Sequence, residues 1–194
     1  MKYSKKEIPM RSTLTALAAL LFFLTSSAFA LTAQNVEITL PPNWKTKTPN
    51  PDNPSIILIA GIPAANADLF VMDAPPQKPS KPQRRVFSIK AEFGNDDINP
   101  IVNIYKMDAD GQGVDEFIAA QTLNYRVQAN AKVWETKDNY ILASYQDGIR
   151  TIKQLEFFYV KDDKLYVLIF AARQSTFDNH RHIFDQINKS LKIK

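Results

Sequence analysis

The sequence predicts an α+β fold in which a mainly antiparallel sheet is packed against helices. Three observations predict it. Short apolar segments repeat with strand-like spacing along most of the chain, as in VEITLP and RVFSIKAEF. The connections in the second half are hairpin-length, which joins neighbouring strands antiparallel. Only two segments shift to helical spacing, and the order strands, helix, strands, helix does not suit a doubly wound Rossmann arrangement.

Taken in order, VEITLP alternates Val36, Ile38 and Leu40 with Glu37 and Thr39, a half-buried strand stopped by the prolines of PPNW. Trp44 is expected to fold back on the sheet edge, and TKTPNPDNP reads as a turn-rich loop. SIILIAG is a continuous apolar run and so a more buried strand. RVFSIKAEF and IVNIYKM supply two more strands. GVDEFIAAQTLNYRV then takes helical spacing through Val114, Phe117, Ile118, Tyr125 and Val127, with Asp115 and Glu116 in the favoured first turn. AKVWETKD and NYILASYQDG form a strand pair across a polar turn. RTIKQLEFFYV and KLYVLIFAA flank KDDK, a hairpin with Asp162 and Asp163 at its tip. The last strand is apolar on both faces and belongs in mid-sheet. The closing TFDNHRHIFDQINKSLKI is an amphipathic helix with Phe177, Ile183, Phe184, Ile187 and Leu191 on its apolar side. Ser175 or Thr176 can cap its start, and Lys189, Lys192 and Lys194 suit its C-terminal end.

The first thirty residues read differently. A basic stretch with Lys2, Lys5, Lys6 and Arg11 precedes the apolar run Leu14 to Leu24, and Ala28 and Ala30 occupy the small-residue positions of a signal-peptidase site. The run is too short for a bilayer anchor. The expectation is a cleaved secretory signal at 1–30 and a single domain at 31–194, exported to a Gram-negative periplasm or beyond, with no transmembrane segment after cleavage. Met10 is an alternative start, because the chain from there is already a complete signal. Cleavage removes four of the 24 basic and one of the 20 acidic residues, leaving 20 against 19. A basic-protein case for nucleic-acid binding goes with the discarded segment. The chain has no cysteine, which excludes disulfides, thiolate metal sites, a cysteine nucleophile and a lipoprotein anchor.

Several stretches resemble the PsbP-like family: VEITLPPNW, GVDEFIAAQ and the long C-terminal FFYVKDDKLYVLIFAARQSTFDNHRHIFDQINKSLKI. The pattern is a strand ending in LP with a nearby tryptophan, a hairpin ending in LYVL, and a helix running to SLKI. The resemblance covers most of residues 36 to 193 and departs from about Ala64 to Arg85. It implies an α/β/α sandwich with a central, mainly antiparallel sheet, shared with Mog-type Ran-binding import factors and periplasmic DcrB-like proteins. It also implies a non-enzymatic assembly or docking role. It is a pattern of apolar positions, so no functional residue is carried over from it.

Few residues offer chemistry. His180 and His182 stand two apart, about 200° around a helix, and cannot chelate one ion together. His180 falls beside the apolar stripe and His182 on the solvent side, so both read as structural. No nucleophile motif accompanies them, which leaves an envelope hydrolase as the weakest reading. Asp108, Asp110, Gln112 and Gly113 echo positions one, three, five and six of a calcium loop, but position twelve is Ala119 where a bidentate glutamate belongs. A glycine turn entering a helix explains the same residues, with a weak Ca²⁺ site or a small-molecule pocket as the alternative. APPQKPSKPQRR, from Ala74 to Arg85, holds four prolines and the cations Lys78, Lys81, Arg84 and Arg85. It reads as an exposed, semi-rigid loop within about 64–85, able to dock an acidic envelope protein, lipid headgroups or the polyanionic envelope. The sequence therefore points to an exported accessory or docking protein without catalytic residues or cofactor.

Overall fold

The computed structural model describes residues 28–49, 51–62 and 100–194. Most of the expected signal, the whole 64–85 loop with Lys78, Lys81, Arg84 and Arg85, and the expected strand at 85–93 lie outside the described residues. Within them, ten strands and two helices follow in the order β1 (Phe29–Ala33), β2 (Val36–Leu40), β3 (Lys45–Lys47), β4 (Ile56–Gly61), β5 (Ile101–Asp108), α1 (Val114–Val127), β6 (Ala131–Lys137), β7 (Tyr140–Asp147), β8 (Arg150–Lys161), β9 (Lys164–Arg173), α2 (Phe177–Ser190) and β10 (Lys192–Ile193). They build a seven-stranded sheet, β3-β4-β5-β9-β8-β7-β6, and a small sheet, β1-β2-β10. Every pairing in both is antiparallel.

The doubly apolar strand is where its composition requires. β9 lies between β5 and β8, and every residue from Leu165 to Ala172 is buried. Leu165, Val167, Ile169 and Ala171 join Phe117, Ile118 and Tyr125 of α1 in one core. Tyr166, Leu168, Phe170 and Ala172 join β2 and Phe177, Phe184 and Ile187 of α2 in the other. One helix therefore covers each face, which is the α/β/α sandwich expected. The β8–β9 hairpin turns on Asp162 and Asp163, with φ of 52° and 55°. Both sit in the left-handed region that a two-residue hairpin turn of matching twist demands.

The structure corrects several local expectations. Trp44 is no edge residue: it is 1% exposed, and its ring lies 6.5 Å edge-on from Phe184. Part of the supposed loop pairs as β3, Lys45 opposite Gly61. Gly61 has no room for a side chain, since a Cβ there would lie 2.9 Å from the Pro100 carbonyl oxygen. β1 straddles the expected cleavage point at Ala30, but residues 28–30 are exposed and burial starts at Leu31. Thr176 does precede α2, yet its hydroxyl donates back to the Arg173 carbonyl at 3.3 Å and caps nothing. Lys192 is past the helix in β10, paired opposite Glu37, and Lys194 follows it. Their ammonium groups reach Glu37 at 3.5 and 3.1 Å, with Lys194 as the chief cause that holds this carboxyl below its ordinary range. Val127 closes α1 but is 73% exposed.

Candidate interaction surface

Among the described residues β6 is an outer strand of the large sheet, and one side of its backbone has no neighbouring strand there. Its inward residues, Ala131 and Val133, pack on the core beneath α1. The register then slips: Val133 stands opposite Ala143 and Glu135 opposite Leu142, which makes Trp134 the extra residue of a β-bulge. Strand alternation puts the indole on the α2 face with Lys132, opposite Val133, and its Nε1 donates to the Ser144 hydroxyl at 2.9 Å.

Two cations hold the ring. Lys132 Nζ lies 3.6 Å from the ring centroid and Lys153 Nζ 5.5 Å. Lys153 also pairs with Asp178 at 2.8 Å and lies 5.1 Å from the Phe177 ring, so it ties β6 to the first turn of α2. Trp134 is nevertheless 45% exposed. An indole is thus presented on an open edge in one orientation, fixed by a hydrogen bond and by cation–π contact. Beside it Glu135 pairs with Lys137 at 2.7 Å, and this contact depresses the Glu135 carboxyl and raises the Lys137 ammonium. Arg181 of α2 pairs with Asp185 at 3.2 Å and approaches the Tyr140 ring at 6.0 Å.

On the opposite face, α1 and the β6–β7 turn enclose an open hollow of about 650 Å³. Ile118, Ala119 and Leu123 form its apolar side, and Arg126 and Lys137 its cationic side. Thr122 also lines it, with a buried hydroxyl that has no partner. The hollow has room for a small ligand, and Asp115 and Asp138 also line it.

Among the described residues, those singled out in the sequence lie in two separate places, the Asp108–Gly113 turn and α2. Asp108 ends β5 and forms an ion pair with Lys164. Asp110 stands at φ 51° in the following turn, and the Gln112 amide donates to the Ala109 carbonyl at 2.9 Å. The turn is tied to the β8–β9 tip, where Asp163 accepts from the Gly111 amide at 2.9 Å. Among the described residues no three His, Cys, Asp or Glu side chains gather to hold a metal. Gly113 precedes α1, and the Glu116 carboxylate accepts from its amide. His180 is half-buried, 6.3 Å from Phe184, and burial lowers its pKa, with His182 adding to the effect. His182 is exposed. Trp134 was not singled out in the sequence. The alternation of AKVWETK puts the indole opposite Val133, but the Ser144 and Lys153 side chains that hold it come from other strands.

No protein-family model matches the chain, and no curated protein matches it. Solved structures similar to it include cyanobacterial PsbP from Synechocystis sp. PCC 6803, at 12% identity and TM-score 0.45 over 87% of this chain and 94% of that one. The Ran-binding protein Mog1p of Saccharomyces cerevisiae follows at 7% identity and TM-score 0.48, over 86% and 96%. LpqN of Mycobacterium tuberculosis, involved in cell envelope biogenesis, gives 9% identity and TM-score 0.48 over 87% and 86%. Of the three kinds of protein named by the sequence resemblance, PsbP and Mog are among them. At such identities the likeness concerns the arrangement of elements alone.

Proposed function

We propose that this is an exported, non-enzymatic accessory protein of the cell envelope that docks an extended, acidic segment of another envelope protein along β6. The observation that supports it is Trp134, 45% exposed and yet fixed in place. Exposed tryptophans dominate interface energies, and an anchor already held in one rotamer gives up little entropy on binding. The outer side of β6 offers backbone donors and acceptors for an added strand. Lys132 and Lys153 beside the indole favour a partner with carboxylates at that position. Until the partner arrives, the bulge and the lysines blunt the edge against self-pairing. Lys78, Lys81, Arg84 and Arg85 offer a second set of cations to the same kind of partner. The reading requires no cofactor and no metal.

The test places a photo-crosslinking amino acid at position 134 in the native host, with position 149 as control. Ile149 is 97% exposed at the tip of the β7–β8 turn and lies off the edge strand. The expected outcome is a discrete adduct with an envelope protein from position 134, suppressed by Lys132→Glu, and none from position 149. Equal labelling from the two positions, or none from 134, rejects the docking surface.

A further inference from the structure

Glu156 is the one ionisable acid or base among the described residues whose side chain the core encloses completely, at 0% exposure. It sits on β8 near the middle of the large sheet, facing α1, in a cross-strand row with Ile141 and Ile169. Three side chains donate to its carboxyl group. Tyr125 Oη and Gln154 Nε2 meet Oε1, the latter at 2.9 Å, and Gln121 Nε2 meets Oε2 at 2.9 Å. Gln154 Nε2 also donates to Tyr125 Oη at 3.1 Å, and Asn124 Nδ2 to Gln121 Oε1 at 3.3 Å. Tyr125, Gln121 and Asn124 belong to α1, Gln154 and Glu156 to the sheet. This cluster is the polar part of an otherwise apolar helix–sheet contact.

The groups facing the carboxyl group from the surrounding elements are Tyr125 of α1, Tyr145 of β7 and, farther along the row, Asn103 of β5. β9 contributes only Ile169 and its apolar neighbours. No lysine, arginine or histidine is buried among the described residues. A fully buried carboxylate without a cation is costly, and three donors offset part of that cost. A tyrosine hydroxyl can reverse its role. It donates to the ionised carboxylate, and it accepts from the neutral acid once a proton is added. The same cluster therefore accommodates either charge state, with different strengths of attachment between α1 and the sheet.

We infer that Glu156, Tyr125, Gln154 and Gln121 form a proton-operated latch that fastens α1 to the sheet when Glu156 is neutral and loosens it when Glu156 is ionised. Burial raises the carboxyl group to about 7, with the hydrogen bonds from Tyr125, Gln154 and Gln121 acting against it. The latch therefore operates across neutral pH, where a buried group of this kind exchanges its proton.

The experiment follows amide hydrogen exchange of α1 in the full chain, corrected for intrinsic rates, between pH 5.5 and 8.5. Linkage between an ordinary carboxyl in the opened state and one titrating near neutrality in the closed state sets the scale. Protection of α1 in the wild type is expected to fall on the order of thirtyfold across that range. Glu156→Gln, which keeps shape and removes the proton site, is expected to abolish the fall. Tyr125→Phe removes a donor to the carboxylate and is expected to move the transition to higher pH. It also carries the test alone if Glu156→Gln does not fold. A wild-type protection independent of pH, a fall that persists in Glu156→Gln, or an unmoved transition in Tyr125→Phe overturns the latch.

Discussion

Glu156 and Phe184 face opposite cores, and each sets what its side of the sheet tolerates. The sign of the Glu156 effect follows from its raised pKa. Stability from this group is present in full below the unfolded value near 4.5 and is lost as pH rises through about 7, a swing of about 3 kcal/mol. Glu37 and Glu135, whose carboxyls are depressed, act the other way and lose their contribution as pH falls below the ordinary carboxylate range. On the other face Phe184 stacks on Phe170 at 5.0 Å, meets Phe177 at 5.4 Å and Trp44 at 6.5 Å, and is fully buried. Phe184→Ala empties the centre of that cluster and is expected to cost about 3–5 kcal/mol in urea unfolding at pH 6. A loss below 1 kcal/mol would show that α2 collapses onto the gap. The helical spacing made Phe184 legible in the sequence. Trp44 was not legible, because a tryptophan between prolines and a turn carries no period that assigns it a face.

At the scale of elements, the hairpins are the parts the sequence describes best. Alternation with a short polar turn admits few alternatives, and the doubly apolar β9 could only lie inside. The β8–β9 turn gives a direct check. Asp162 stands at φ 52°, where a β-branched residue is strongly disfavoured. Asp162→Val is expected to lose about 1–2 kcal/mol, while Asp162→Gly should match or exceed the wild type, both by urea midpoint. Equal stability of the two variants would mean that the turn rearranges. β3 and β10 escaped notice because three and two residues are too few to show a period. The inner face of α1 escaped for another reason. Gln121 and Asn124 fall in the helical stripe of Phe117, Ile118 and Tyr125, but they are polar, and the buried Glu156 opposite supplies the partner that lets them stay inside. The same limit hid the edge surface, since Ser144 and Lys153, which hold Trp134, belong to other strands.

For the molecule as a whole, the proposed export makes a prediction about where the mature chain begins. We expect cleavage after Ala30, and the small sheet states what that would leave behind. Phe29 and Ala30 pair with Leu40 and Thr39 but are exposed, whereas Leu31 and Ala33 pack against the core formed with β2 and α2. Cleavage at that point would remove two rungs of the β1–β2 ladder and keep the three opposite Ile38, Glu37 and Val36. β2 is also paired on its other side by β10, with Lys192 and Lys194 on Glu37, so its register does not depend on the lost rungs. The protein isolated from the envelope fraction is expected to begin at Leu31 by intact mass. A chain from Leu31 should unfold at the same urea midpoint as one from Ala28, within about 0.5 kcal/mol, because only exposed residues differ. A mature chain beginning after Ala33 would contradict the cleavage site, since it removes the half-buried Leu31 and Ala33. An unprocessed chain would reject export through this signal, and with it the envelope as the place where Trp134 meets its partner.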